Sequence, residues 1–110
     1  MKKNYLAITT TTGLCFVKKD DLLYCCSDGA YTNLFLSDGR KLTISKNLKE
    51  IETALAGTDF IRIHHSHLVN IAHIKAYVNN SQNYVKMSNG EELAVSRNRK
   101  KGLLECFTKI

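Results

Sequence analysis

Apolar and polar residues alternate in short runs along most of the chain, and turn residues separate the runs. This two-residue period is typical of strands with one buried face. Strands are predicted at residues 5–10, 14–18, 21–27, 31–36, 40–44, 60–64, 74–78, 84–87 and 91–95. Asp38-Gly39 and Asn89-Gly90 predict the clearest hairpins, because both dipeptides tolerate the positive φ values of tight turns. The pattern therefore predicts a mainly β chain.

The period becomes helical after the fifth predicted strand. Apolar residues recur at helical spacing within residues 45–57, at Leu48, Ile51 and Leu55. Asn47 followed by Glu50 fits a capping box, with Ser45 as a rival N-cap, and Gly57 is a natural stop. We expect this helix to pack its apolar face on the sheet.

A second helix is predicted after the last strand. Ser96 belongs to the residue types that cap helix N-termini, and a short apolar stripe follows it. The stripe consists of Leu103, Leu104 and Phe107. The residues in between are mostly basic: Arg97, Asn98, Arg99, Lys100 and Lys101. The start of this helix therefore carries several positive charges.

The composition is that of a globular protein, with 44% hydrophobic and 24% charged residues in a chain of 110. This length fits a single domain over residues 1–110 and is too short for a barrel enzyme. The apolar run at residues 5–8 is too short for an export signal, and no run approaches the ~20 apolar residues of a membrane span. We therefore expect a cytoplasmic protein without a membrane partner, and four cysteines that are reduced and buried.

The net charge of +6 favours an anionic partner, and its distribution is uneven. Residues 97–110 contain five Lys or Arg and one Glu, a net +4, while residues 1–96 contribute the remaining +2. Cations at a helix N-terminus oppose the helix dipole, and a bound phosphate would remove that conflict. Arg and Asn side chains also suit the edges of guanine and adenine. The basic run therefore predicts contact with nucleic acid.

Metal binding and catalysis are disfavoured by the same residues. Four histidines, at His64, His65, His67 and His73, have no nearby Cys or carboxylate in the sequence to complete a zinc site. A polar loop is the favoured interpretation of the first three. No cysteine occupies a glycine-framed turn or a confident helix start, and the six glycines form no phosphate-binding loop. We expect no enzyme activity, no metal and no cofactor.

One long motif is similar to a known family. Residues 60–74, FIRIHHSHLVNIAHI, resemble the signature of the LytTR family, the LytR/AlgR-type DNA-binding domain. Residues 23–32, 45–55 and 89–97 resemble the early strand and loop, the helix, and the final hairpin with its basic segment. The similarity covers roughly residues 14–107. It implies an elongated stack of small antiparallel sheets with two or three short helices.

The resemblance also implies how DNA is bound. Family members insert loops into successive major grooves of double-stranded DNA and contact the backbone between them. The first implied contact region contains Tyr31 and Thr32. The second contains His64, His65 and Ser66, with His65 in the usual base-reading place. The third runs from Ser96 through Arg97, Asn98, Arg99 and Lys100 to Lys101, with Asn98 as the base reader and the basic residues on phosphates.

The expected function is therefore sequence-specific DNA binding by the output domain of a bacterial response regulator, on tandem imperfect repeats and as a possible homodimer. A receiver domain would belong to a longer parent chain, and a free-standing output domain is the other option. Two other functions stay open: RNA binding, and a regulatory or protein-interaction module that binds no DNA. The scattered Tyr31, Tyr77 and Tyr84 argue against an RNA-stacking sheet.

Overall fold

The computed structural model describes residues 4–110 as three small antiparallel sheets and two short α-helices. The strands are β1 (Tyr5–Thr10), β2 (Gly13–Lys18), β3 (Leu22–Asp28), β4 (Tyr31–Leu36), β5 (Lys41–Ile44), β6 (Phe60–His64), β7 (His67–Asn70), β8 (Ile74–Asn79), β9 (Asn83–Met87) and β10 (Glu92–Ala94). The helices are α1 (Leu48–Ala54) and α2 (Lys100–Leu104). Principal extents of 44 × 34 × 24 Å confirm the elongated, mainly β architecture.

The three sheets are all antiparallel and differ in size. β1 and β2 form a separate hairpin, β5-β4-β3-β7-β6 is the five-stranded sheet, and β10-β9-β8 is the three-stranded sheet. β3 is the middle strand of the largest sheet, with β4 on one side and β7 on the other. None of the helices within residues 4–110 has the length and apolarity to cross a membrane.

All nine predicted strands are present, and their ends differ from the predicted ones by at most one residue. The alternation pattern missed β7, because Leu68, Val69 and Asn70 are buried in succession and show no two-residue period. It also missed two short 3-10 turns, at Lys19–Asp21 and Ile71–His73. A strand covered on both faces and paired on both edges has no polar side to mark it.

The capping box predicted for the first helix is confirmed. The Glu50 N–H donates to Asn47 Oδ1 at 2.8 Å, and the Asn47 N–H donates to Glu50 Oε1 at 3.2 Å. Asn47 is therefore the N-cap, and Ser45 is not. Leu48 and Ile51 are buried, and α1 contacts β3, β6 and β7. The helix thus covers one face of the five-stranded sheet, as its apolar spacing predicts.

Two apolar clusters lie on opposite faces of the five-stranded sheet. The first contains Leu22, Cys25, Leu34 and Leu68 together with side chains of α1 and the β1–β2 hairpin. The second contains Leu23, Tyr24, Ile63 and Val69 together with side chains of β9, β10 and α2. Leu93 and Val95 lie in the second cluster, as the alternation in that segment predicts. Both cores therefore pack against the five-stranded sheet, one on each of its faces.

A buried asparagine ties the 3-10 turn after β7 to β3. Asn70 is 2% exposed, and its Nδ2 donates to the carbonyl oxygen of Leu22 at 3.1 Å. Its Oδ1 accepts from the backbone N–H of Ala72 at 3.1 Å. The first hydrogen bond gives a partner to the carbonyl of the fully buried Leu22, and the second caps the 3-10 turn at Ile71–His73.

Asn70→Ala is therefore expected to lower the free energy of unfolding by about 2–4 kcal/mol, because it leaves a buried carbonyl and an N–H unpaired. Urea denaturation followed by circular dichroism measures this change. Asn79→Ala, at an exposed site in β8, is the matched control and should change stability by less than about 0.5 kcal/mol. Equal effects of the two substitutions would contradict the structural role of Asn70.

Candidate nucleic-acid interface

Several connections meet at one end of the five-stranded sheet. The β3–β4 turn, the link from β5 to α1 and the β6–β7 turn all follow from the antiparallel order of the strands. The Ser27 N–H donates to the carbonyl of Ser66 at 3.0 Å, which joins the first of these turns to the third. Thr32 Oγ1 donates to the carbonyl of Lys46 at 2.7 Å, which joins β4 to the link before α1. Three loops therefore form one continuous surface.

The basic segment, residues 97–101, attaches directly beside that surface. The Ser96 N–H donates to the carbonyl of Ile63 at 2.8 Å, one residue before the histidine turn, residues 64–67. Arg97–Arg99 form a 3-10 turn, and α2 follows from Lys100. The structure thus brings together two sequence regions that are about thirty residues apart and that were singled out independently.

Ser96 does not act as the predicted side-chain cap. Its hydroxyl makes no capping hydrogen bond; it lies 3.4 Å from the carbonyl of Ile63 and donates to Oδ1 of Asn98 at 3.0 Å. The helical region begins with a 3-10 turn at Arg97–Arg99, and the Ser96 hydroxyl is engaged with these two acceptors rather than with an N–H of that turn. Ser96 instead positions the Asn98 side chain.

The basic segment carries positive charge that the protein does not neutralise. Arg97, Asn98 and Lys101 are exposed, and Arg99 and Lys100 are half-buried. Within residues 4–110 no carboxylate forms an ion pair with any of its four cations. Lys100 Nζ lies 5.9 Å from the centre of the Tyr77 ring, a cation–π arrangement. The charge is therefore available to an external anion.

The histidine turn has a defined internal geometry. The Ser66 N–H donates to His64 Nδ1 at 3.1 Å, and this places the proton of neutral His64 on Nε2. His65 is exposed, and its Nε2 lies 3.1 Å from the hydroxyl of Ser66. The His64 ring lies 4.7 Å from the His65 ring and 5.1 Å from the His67 ring, between centroids. Hydrogen-bonding groups of His65 and Ser66 thus lie at the tip of the turn.

Burial favours the neutral forms of the His64 and His67 imidazoles. Burial lowers the pKa of His64 from its usual 6.5, and the charges of His65 and Arg62 lower it further. Burial also lowers the pKa of His67, followed by the effect of His64. The unfolded chain therefore binds more protons than the folded chain as the pH falls through about 6.5. The stabilising contribution of the neutral rings is present above that pH and is lost on acidification.

Arg62 holds the histidine turn in place. Its Nε donates to the carbonyl of His64 at 2.9 Å, and its Nη2 donates to the carbonyl of His65. Its Nη1 forms an ion pair with Glu52 of α1 at 2.9 Å, and only 13% of the Arg62 side chain is exposed. The guanidinium thus connects the turn to a helix packed on the sheet. The planar guanidinium group, whose N–H donors point in fixed directions, suits this role better than the single ammonium group of a lysine.

The structure separates the two residues predicted on the first loop. Tyr31 is 53% exposed and lies at the sheet end that carries the other loops. Thr32 is fully buried, and its hydroxyl donates to the Lys46 carbonyl, so the expected contact with DNA is wrong for Thr32. The alternation along β4 turns neighbouring side chains to opposite faces, and the inward one of this pair is Thr32.

Arg62 and Lys46 were both missed as site residues by the sequence pattern. Lys46 is exposed in the link between β5 and α1, on the same surface as Tyr31 and the histidine turn. The sequence could have identified Lys46, because it follows a predicted strand that pairs with the strand beginning at Tyr31 and therefore lies at the same end of the hairpin. The alternation in residues 60–64 places Arg62 on the face opposite Ile61 and Ile63. Only the fold shows that its side chain contacts Glu52 and the histidine turn.

The cysteines are free thiols in different environments. Cys25 is buried and Cys26 is half-buried, with its Sγ 3.4 Å from Nδ1 of His67. Burial raises the pKa of Cys26 to about 11, so this group is a neutral thiol at pH 7. Cys106 is exposed, so the expectation of buried cysteines is wrong there. Across residues 4–110, no group of three or more His, Cys, Asp or Glu side chains is arranged to hold a metal ion.

Comparison with known proteins assigns the chain to a family. The family model described as the LytTr DNA-binding domain matches residues 12–108. The sensory transduction protein LytT of Bacillus subtilis (strain 168) is 32% identical over 101 residues, which are 89% of this chain. The match covers 41% of LytT, so the chain corresponds to less than half of that relative.

The fold agrees with a solved relative. A LytTr DNA-binding domain from Bacillus cereus superimposes with a TM-score of 0.78 at 28% sequence identity. The superposition covers 94% of this chain and 96% of that domain. The family model thus spans nearly the whole chain, and the sheets and helices match those of a solved member. The chain belongs to the LytTR family of DNA-binding domains.

Proposed function

We propose that the chain binds double-stranded DNA with sequence specificity, as the output domain of a transcription regulator in the bacterial cytoplasm. The observation that carries this proposal is the junction between Ser96 and Ile63, which holds the unpaired basic segment against the histidine turn. A run of free cations supplies affinity for phosphates, and an adjacent turn with exposed hydrogen-bonding side chains supplies base contacts. The two requirements of specific binding therefore occur on one surface.

The proposed roles follow from exposure and chemistry. His65, Ser66 and Asn98 offer donors and acceptors that fit base edges in a major groove. Arg97, Arg99, Lys100, Lys101 and Lys46 offer cations to the phosphates on either side. His64 supports the turn through its hydrogen bond with the Ser66 N–H, and Tyr31 contacts the backbone beside the turn. Ser96 positions Asn98 through its hydroxyl.

The wider setting is also a proposal. LytT is named a sensory transduction protein, and this chain corresponds to 41% of its length. The rest of such a relative is long enough for a sensing or receiver domain. That domain would control when the output domain binds DNA. We also propose tandem imperfect repeats as the target, with two copies of the chain bound side by side, as the family resemblance implies.

The first test removes two cations. Arg97→Ala with Arg99→Ala is expected to weaken binding to a duplex about tenfold or more at 100 mM salt. The slope of log K against log salt should become shallower by about 1.8, because each phosphate contact contributes about 0.9. Fluorescence anisotropy with a duplex selected from a random library measures both quantities.

Lys18→Ala with Lys86→Ala is the matched control for that test. It removes the same charge from exposed positions in β2 and β9, and affinity should change less than about threefold. Equal losses in the two double variants would mean that total charge and not this segment binds DNA. Tighter binding to single-stranded RNA than to the duplex would favour an RNA-binding domain. Unchanged binding in the arginine variant, with the fold intact, would favour a protein-interaction module.

The second test concerns base specificity. His65→Ala is expected to relax the preference at one base position by about 5- to 150-fold, which corresponds to about 1–3 kcal/mol. Asn98→Ala should relax a different position by a similar factor. Selection of bound duplexes from a random library, followed by sequencing, shows which positions change. Loss of affinity without any change in the selected sequence would place both residues on the phosphate backbone.

The third test concerns Arg62 as a positioning residue. Arg62→Gln is expected to weaken DNA binding about tenfold or more, since it removes charged hydrogen bonds worth about 1.5–3 kcal/mol from the histidine turn. The salt slope should stay unchanged, because Arg62 contacts backbone carbonyls and Glu52 rather than a phosphate. Base preference at the position read by His65 should broaden.

Glu52→Gln is the control for Arg62. It removes the charge of the ion-pair partner and leaves both donations to the turn possible, so the effect on affinity should be smaller. A salt slope that becomes shallower by about 0.9 in Arg62→Gln would show a direct phosphate contact and would refute the positioning role. Thermal denaturation of each variant confirms that the fold is retained.

A further inference from the structure

The three-stranded sheet has an open edge away from the histidine turn. Its order is β10-β9-β8, and β8 pairs with β9 alone within residues 4–110. Open strand edges offer unpaired backbone groups to another strand, and proteins usually protect them by charge, bulges or cover. β8 has a register shift between Ile74 and Ala76, so the regular edge that is open to an additional strand runs from Ala76 to Asn79.

An apolar groove runs between this edge and α2. Its volume is about 560 Å³, and β8 lines one side while α2 and the residues after it line the other. Its apolar lining residues include Ile74, Tyr77, Val85, Leu103, Leu104 and Phe107. Groove and edge together have the form of a site for an extended peptide, in which backbone hydrogen bonds give affinity and alternate side chains enter the groove.

The apolar stripe predicted for the C-terminal helix is covered only in part. Leu103 is 1% exposed, whereas Leu104 and Phe107 are 40% and 44% exposed. Large apolar side chains that are grouped along one groove and partly exposed indicate a surface that another chain covers.

Positive charge surrounds the groove. Lys75, Lys100 and Lys109 are among its lining residues, and no acidic residue is. A second copy of this chain would bring its own three lysines and a net charge of +6 to the same place. Charge complementarity therefore favours an acidic occupant over a second copy.

We propose that this groove binds an extended segment of a partner protein, in which apolar and acidic side chains alternate and which adds to β8 as a further strand. The apolar side chains of the segment contact Leu104 and Phe107, and its carboxylates contact the surrounding lysines. This surface is separate from the histidine turn, and Lys100 is the one residue shared with the basic segment. The proposal does not depend on DNA binding.

The test uses the isotope-labelled chain and blocked hexapeptides at millimolar concentration. A peptide of alternating valine and glutamate is expected to shift the amide resonances of β8 and α2 and to slow hydrogen exchange in β8. Peptides that alternate valine with lysine, or glycine with glutamate, should give neither effect, because one lacks the charge and the other lacks the apolar side chains. Equal shifts with any of these peptides, or no shift in β8, would overturn the proposal.

Charge-reversal variants locate the binding on the groove. Lys75→Glu with Lys109→Glu is expected to weaken peptide binding about tenfold, since two pairs near the surface are each worth up to about 1 kcal/mol. Lys18→Glu with Lys49→Glu makes the same change at exposed sites elsewhere and should leave binding within about twofold. Sedimentation of the chain alone should show a monomer. A dimer that Leu104→Ser dissociates would place a second copy in the groove and would refute the acidic partner.

Discussion

The fold depends on the burial of one strand on both of its faces. β3 supplies Leu22 and Cys25 to the cluster under α1, and it supplies Leu23 and Tyr24 to the cluster under α2. A register shift between Leu22 and Tyr24 allows the adjacent Leu23 and Tyr24 to pack in the same core, which regular alternation would not permit. Both cores therefore lose packing if β3 moves, and every loop at the end of this sheet takes its position from the strand.

The candidate interface is a consequence of that arrangement. Antiparallel strands on either side of β3 return their turns to the same end, and short hydrogen bonds such as that of Ser27 to Ser66 fix the distance between them. The second core also fastens α2 through Leu103, so the basic segment begins where β6 ends. The sheet itself fixes the relative positions of the turns and the cations.

The sequence pattern identified the strands with polar faces and the capped helix, because alternation and capping are local properties. It missed β7, whose residues are buried in succession. The family resemblance, and not the pattern, placed Thr32 on the DNA-binding surface, whereas the alternation along β4 puts Thr32 on the same face as the buried Leu34 and Leu36. His65, Asn98 and the basic run were predicted from residue type and from the family motif, and the structure places them near one another. Arg62 was not predicted, because its three acceptors belong to a distant helix and to backbone carbonyls that only the folded chain places around it.

The hydrogen bonds between Arg62 and the histidine turn affect how such a protein can change its target during evolution. Its guanidinium donates to the carbonyl oxygens of His64 and His65, which every amino acid possesses, and not to the ring of His65. Replacing the side chain at position 65 therefore leaves those two donations in place. Under the proposed role of His65 as a base reader, a lineage can exchange this residue in a single step while the Arg62 hydrogen bonds remain, so new binding preferences can arise without compensating substitutions elsewhere.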